Sequence, residues 1–158
     1  ALRWDNEGWP WAAYAPAVMA AVQAGVPVIG ANLQRSRLRA AMADASLDGL
    51  LPGPVIKAQQ QAIRIGHCGL LPEGQIAPMT RVQVARDRTM AGTLARLAVP
   101  GKTVVLIAGG GHVDPEVGVP LHLPAGLASK SVLLPAPLVP KRDYCADMRR
   151  SLAPKPAS

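Results

Sequence analysis

The chain has no phenylalanine, and its only rings are three tryptophans and two tyrosines among 158 residues. Four of the five, Trp4, Trp9, Trp11 and Tyr14, crowd near the start. The core elsewhere must be built from Ala, Val, Leu, Ile and Met, and no platform of stacked rings exists for single-stranded nucleic acid. Cysteine is almost as scarce. The two present, Cys68 and Cys145, belong to no Cys-x-x-Cys pair, which argues against a structural zinc site and leaves either one disulfide or two buried thiols. Long apolar runs are missing too. The longest stretch without charge, Gly8 to Gln34, is broken by Pro16, Gly25 and Pro27 and is rich in Ala, so it reads as a helix and a buried strand and not as a membrane span. No signal peptide or lipobox opens the sequence, which starts like the middle of a domain.

What is present suits a folded chain. Apolar residues make up 49% of it, and the length fits one domain. The net charge of +7 is unevenly placed: from Lys130 onward there are six basic residues against two acidic ones. Arg35, Arg37 and Arg39 form a second cluster. Such groups form either a solvated face and tail or a cationic mouth for an acidic ligand.

Trp11 to Ala24 reads as a helix begun by Pro10 and stopped by Gly25. Further helices are expected over 35–45, 55–65 and, strongest of all, 79–98, where Pro100-Gly101 ends the pattern. Val26 to Gly30 and Thr103 to Ile107 read as buried strands, and Ser131 to Leu134 as a last one. Helices alternating with apolar strands predict an α/β fold, a parallel sheet flanked by helices. Because two or three strands make a poor sheet, the chain is expected to be the C-terminal portion of a larger α/β domain.

The strand at 103–107 runs into Gly109-Gly110-Gly111-His112. At the carboxyl end of a strand, a glycine turn followed by histidine suits a ligand for metal or a proton carrier; a tight turn with an incidental His is the plain alternative. On the long helix Met79, Gln83, Arg86 and Met90 share one stripe, with Asp87 beside it. Arg86 is expected to be buried and paired with Asp87, in a structural network or against a ligand. His122, flanked by apolar residues, reads as surface or satisfied core.

Together these residues resemble the ChaN-like haem-binding uptake proteins. The similarity lies in Gly110-Gly111-His112 followed by Gly118-Val119-Pro120-Leu121-His122-Leu123, and in Gln83-x-x-Arg86-Asp87-x-x-Met90-Ala91. Also in order are Trp9-x-Trp11-x-x-Tyr14-x-Pro16, Ala31-Asn32-Leu33-x-Arg35, His67-Cys68-Gly69-x-Leu71-Pro72-Glu73 and Asp143-Tyr144-Cys145-Ala146. The resemblance implies one α/β domain over 1–148 with a small helical insertion near 34–80, and a basic Pro-containing tail over 149–158. It implies a haem-binding protein rather than an enzyme, taking part in iron uptake at the bacterial envelope, in the periplasm or as an outer-membrane lipoprotein. His112 is the expected iron or metal ligand and Tyr144 the reserve. Arg35 and Arg86 are set for the propionates, with Asn32, His67, Gly110 and Gly111 around the site. Expected partners are haem, an N-terminal segment carrying the family's Gly-Glu-x-His motif, and a second copy closing a shallow site. The competing expectation is a metal-dependent hydrolase, in which His112 would bind metal or act as general base, inactive without that motif.

Overall fold

The computed structural model describes residues 4–6, 9–134 and 143–152. The chain divides into two compact units, residues 1–31 and 32–158. In the first, α1 spans Trp11–Gln23. The side-chain oxygen of Asn6 accepts the Trp11 N–H at 2.8 Å, satisfying a donor that the helix start leaves free. Gly25, at φ +69°, stops the helix: its N–H bonds Val22 O and the Val26 N–H bonds Ala21 O, the paired closure that a left-handed residue permits. Trp4 packs edge-on against Trp11 with ring centres 5.1 Å apart, and Trp9 against Tyr14 at 5.2 Å, so the scarce rings form one local cluster.

The second unit is organised around one long helix. Within it α2 covers Leu38–Ala43, α3 Gly53–Gly66, α4 Ile76–Leu97, α5 Gly110–Val113 and α6 Tyr144–Leu152. Helix α4 packs against α2, against α3 and against the short 3-10 turns at 45–49 and 119–122. It buries Ile76, Val82, Val84, Met90 and Ala91, which meet a core that also contains Ala41, Leu47 and Val119. Three of its threonines, Thr80, Thr89 and Thr93, turn their hydroxyls onto the carbonyl four residues back, so none is left wanting inside the bundle. Arg81 clamps Asp48 with two bonds of 2.8 and 2.7 Å and bonds Met42 O at 3.0 Å, tying the α2 end to α4. Helices α2 and α3 and the 3-10 turns at 45–49 and 73–75 therefore pack on α4, while the turn at 35–37 packs on α2.

The expected parallel sheet is not found. Of the described residues 60% are helical, and no strand forms among them. The three runs read as strands belong to neither helix nor strand, and no backbone partner meets residues 103–108 among the described residues. Their side chains show why they misled. Val104, Leu106 and Ala108 are half-buried, whereas Val105 is 77% and Ile107 62% exposed. Val26, Ile29, Val132, Leu133 and Leu134 are exposed as well. An apolar run with period two reports one face resting on something; it cannot report a neighbouring strand to complete the ladder. Residues 149–152 form the last turn of α6, and 153–158 lie outside the described residues.

Helix α3 ends in the same closure as α1, but with a cysteine in the left-handed position. Cys68 sits at φ +58°, its N–H on Ile65 O, and the Gly69 N–H bonds Arg64 O at 2.8 Å. Of the two states left open for the cysteines, the disulfide is the one formed: Cys68 and Cys145 are bonded across 77 residues, so α6 is stapled to the end of α3.

Candidate functional site

Helix α5 is a single turn that begins where the 103–108 segment stops. Gly109 precedes it, and the His112 N–H bonds Gly109 O at 2.9 Å. The turn is held from the far side by Gly118. A Cβ on that residue would stand 2.3 Å from His112 O and 2.7 Å from Gly111 O, so only glycine permits this approach. His112 is thereby aimed at α4. Its Nδ1 lies 2.5 Å from Asp87 Oδ1, a bond in which the imidazole N–H donates to the carboxylate. Gln83, one turn earlier on α4, places its amide 3.0 Å from the same nitrogen. With the Nδ1 proton directed at Asp87, the amide oxygen is the end of Gln83 suited to face it.

Asp87 has no exposure and His112 keeps 13%. Burial pushes the Asp87 carboxyl above its ordinary range, while the His112 bond and the charges of His112, His122 and Arg86 pull it back. Burial likewise pushes the His122 imidazole down; Asp87 opposes this and Arg88 adds to it. Three buried atoms around the carboxylate lack a hydrogen-bond partner: Asp87 Oδ2, Arg86 Nε and His122 Nε2. His122 is thus half-buried and unsatisfied, neither of the expected states.

The stripe on α4 was expected to pair Arg86 with Asp87. The hydrogen bond of Asp87 goes instead to His112, 25 residues away, and Arg86 acts on it only as a nearby charge. Beside His112 a cavity of about 190 Å³ opens between α3 and α4. His67, Gln83 and Gly111 line it together with Gln59, Ile63 and Val117. The structure thus gathers His112, Gly111, His67 and Gln83 into one neighbourhood, with Gly110 on the same turn and Arg86 on the same helix. Asn32, Arg35 and Tyr144 do not line this cavity. Asn32 turns its side-chain oxygen onto the Leu33 N–H, and Arg35 stands exposed in the 3-10 turn before α2. Tyr144 is 61% exposed, next to the cysteine that is bonded to the neighbour of His67. Sequence reasoning missed Gln59, hidden in a Gln59-Gln60-Gln61 run, and the anchoring role of Asp87. The Gly118 requirement had one signal, its place in the Gly-Val-Pro motif.

With Nδ1 of His112 held by a buried carboxylate, Nε2 is the ring nitrogen that this pair leaves unengaged. A model of the haem-binding uptake family, Tiki superfamily, ChaN, matches residues 1–123, and the chain belongs to that family. No curated protein and no solved structure matches the chain. Among the described residues no group of three or more His, Cys, Asp or Glu side chains converges to hold a metal ion, and no helix is long and apolar enough to cross a membrane.

Proposed function

We propose that the chain binds haem for uptake at the bacterial cell envelope, with His112 as the iron ligand. The observation that carries this is the 2.5 Å bond between His112 and a carboxylate with no exposure. It fixes the tautomer and ring plane and makes the imidazole a stronger donor through Nε2. Arg86, with a buried Nε still lacking a partner, suits a propionate. A cavity of about 190 Å³ falls below the roughly 300 Å³ at which ligand pockets begin, so the porphyrin would rest against the surface by α5 and not be enclosed. A site of this kind suits a protein that must hand its haem on; Tyr144 would be the reserve ligand, and a further segment or a second copy would complete the site. The disulfide supports an oxidising compartment such as the periplasm.

When bound, haem would supply the iron centre; the chain's own residues orient one imidazole and neutralise acidic groups. The competing proposal, metal-dependent hydrolysis, draws on the same Asp87–His112 pair as a general base. Titration with haemin separates the two. A Soret shift that is lost in His112→Ala and altered in Asp87→Asn, both variants still folded by circular dichroism, supports haem ligation. An identical spectrum and affinity in His112→Ala refutes it.

A further inference from the structure

The imidazole of His112 has an outward edge as well as an anchored one. Its Nε2 makes no hydrogen bond among the described residues and, unlike Nε2 of His122, is not sealed from solvent. The ring carbon bonded to it, Cδ2, lies 3.8 Å from where a Cβ on Gly109 would stand, so the open edge of the ring passes over Gly109. Gly109 ends a row. From Thr103 onward exposure alternates, and Val105, Ile107 and Gly109 lie on the outward side. Residues two apart in such a row stand at most about 7 Å from each other, which puts Ile107 within reach of a porphyrin centred on Nε2. The segment at 131–134 adds a second apolar side chain, because Leu133 Cδ2 lies 3.5 Å from the position of a Cβ on Gly110. Ile107 is 62% and Leu133 71% exposed. Single exposed apolar residues are ordinary, but here two large ones are gathered about an unengaged nitrogen.

The geometry points to Ile107 and Leu133 as the apolar rest for the porphyrin ring, and to Gly109 as the gap that lets the iron reach His112 Nε2. This rests on the reading of His112 as the haem ligand. A porphyrin is a flat apolar disc with its acidic groups at one edge, and an open face of aliphatic side chains covers the disc while leaving that edge free for a cation. Gly109 has φ −63° and ψ 151°, a backbone that any residue adopts, so the turn itself does not require a glycine. What the glycine provides is room: a longer side chain there would lie against the open edge of the imidazole.

The test uses the disulfide-bonded full chain and two porphyrins: haemin, followed by its Soret band, and iron-free protoporphyrin IX, followed by its fluorescence. The expected result is that Ile107→Ser and Leu133→Ser each weaken both by about tenfold, the effect of withdrawing one half-covered aliphatic side chain from the contact. Ile65→Ser, at an isoleucine of α3 that is 68% exposed, changes neither. Gly109→Leu removes the ligated haemin spectrum while the Nδ1–H resonance of His112 persists, which shows the fold and the Asp87 anchor intact. His112→Ala alters the haemin spectrum and leaves protoporphyrin IX bound. Unchanged protoporphyrin IX affinity in either serine variant at 107 or 133, an equal loss in Ile65→Ser, or a ligated haemin spectrum in Gly109→Leu each overturns the inference. A haem-free dimer that Ile107→Ser dissolves assigns the face to a second copy and overturns it as well. An unaltered haemin spectrum in His112→Ala, with the two serine variants still weakening protoporphyrin IX, refutes the ligand and not the apolar rest.

Discussion

Replacing Gly118 by alanine tests how His112 is held. The new methyl would lie 2.3 Å from His112 O, where real contacts begin near 3.0–3.4 Å, so two backbone segments must part by about 1 Å. Both opposing atoms are backbone, and no side-chain rotation relieves the contact. Overpacking of this kind costs about 1–3 kcal/mol. The same displacement takes the Asp87–His112 bond from 2.5 Å to about 3.5 Å, beyond hydrogen-bonding range, and losing a bond to a charged group costs about 1.5–3 kcal/mol more. Together the loss is about 2.5–6 kcal/mol, which in a unit of this size lowers the melting temperature by roughly 10–24 °C. Calorimetry measures the shift. The downfield Nδ1–H resonance of His112 reports the bond directly and should disappear in Gly118→Ala. A melting point within 1 °C of the parent, together with the resonance intact, would refute the reasoning.

Two further outcomes follow from contacts away from the site. Asp48 is held below its ordinary value, chiefly by the Arg81 hydrogen bond, so its contribution is full above the unfolded pKa near ~3.9 and fades as pH falls through the folded value. Asp48→Asn should therefore flatten the decline of melting temperature below about pH 4, and an unchanged acid profile would sink the idea. Reducing the Cys68–Cys145 bond, which spans 77 residues, should cost about 2–4 kcal/mol and make α6 the first element cut in limited proteolysis. Equal melting and cleavage patterns with and without reductant would count against it.

The helices were readable because each carries its own punctuation. Pro10 and Gly25 frame α1, and the apolar stripe with Pro100-Gly101 frames α4, which was expected at 79–98 and lies at Ile76–Leu97. The segment expected as one helix over 35–45 is instead a 3-10 turn and the short α2, divided near Arg37. The sheet was misread because an apolar run such as Thr103 to Ile107 records local preference, whereas a sheet requires a second run in register. The glycine turn that brings His112 to α4 was legible from Gly109-Gly110-Gly111. Its anchor was not. Arg86 adjoins Asp87 in sequence and made the obvious partner, but adjacent helical residues point in different directions, and the partner arrived from α5, 25 residues on. Gln59 gave no signal because a glutamine run on a helix has the same pattern whether one member faces solvent or a cavity.

The ribbon at 103–108 has a practical consequence for how the protein behaves in a tube. Val104, Leu106 and Ala108 are half-buried, but Val105 and Ile107 are exposed beside backbone groups that no described segment meets. The core that stabilises the fold lies on α4 and its neighbours, whereas the apolar side chains of this segment are turned to solvent. Core burial and apolar exposure are carried by different residues, so crowding in concentrated solution can change the state of the sample without loosening the fold at all.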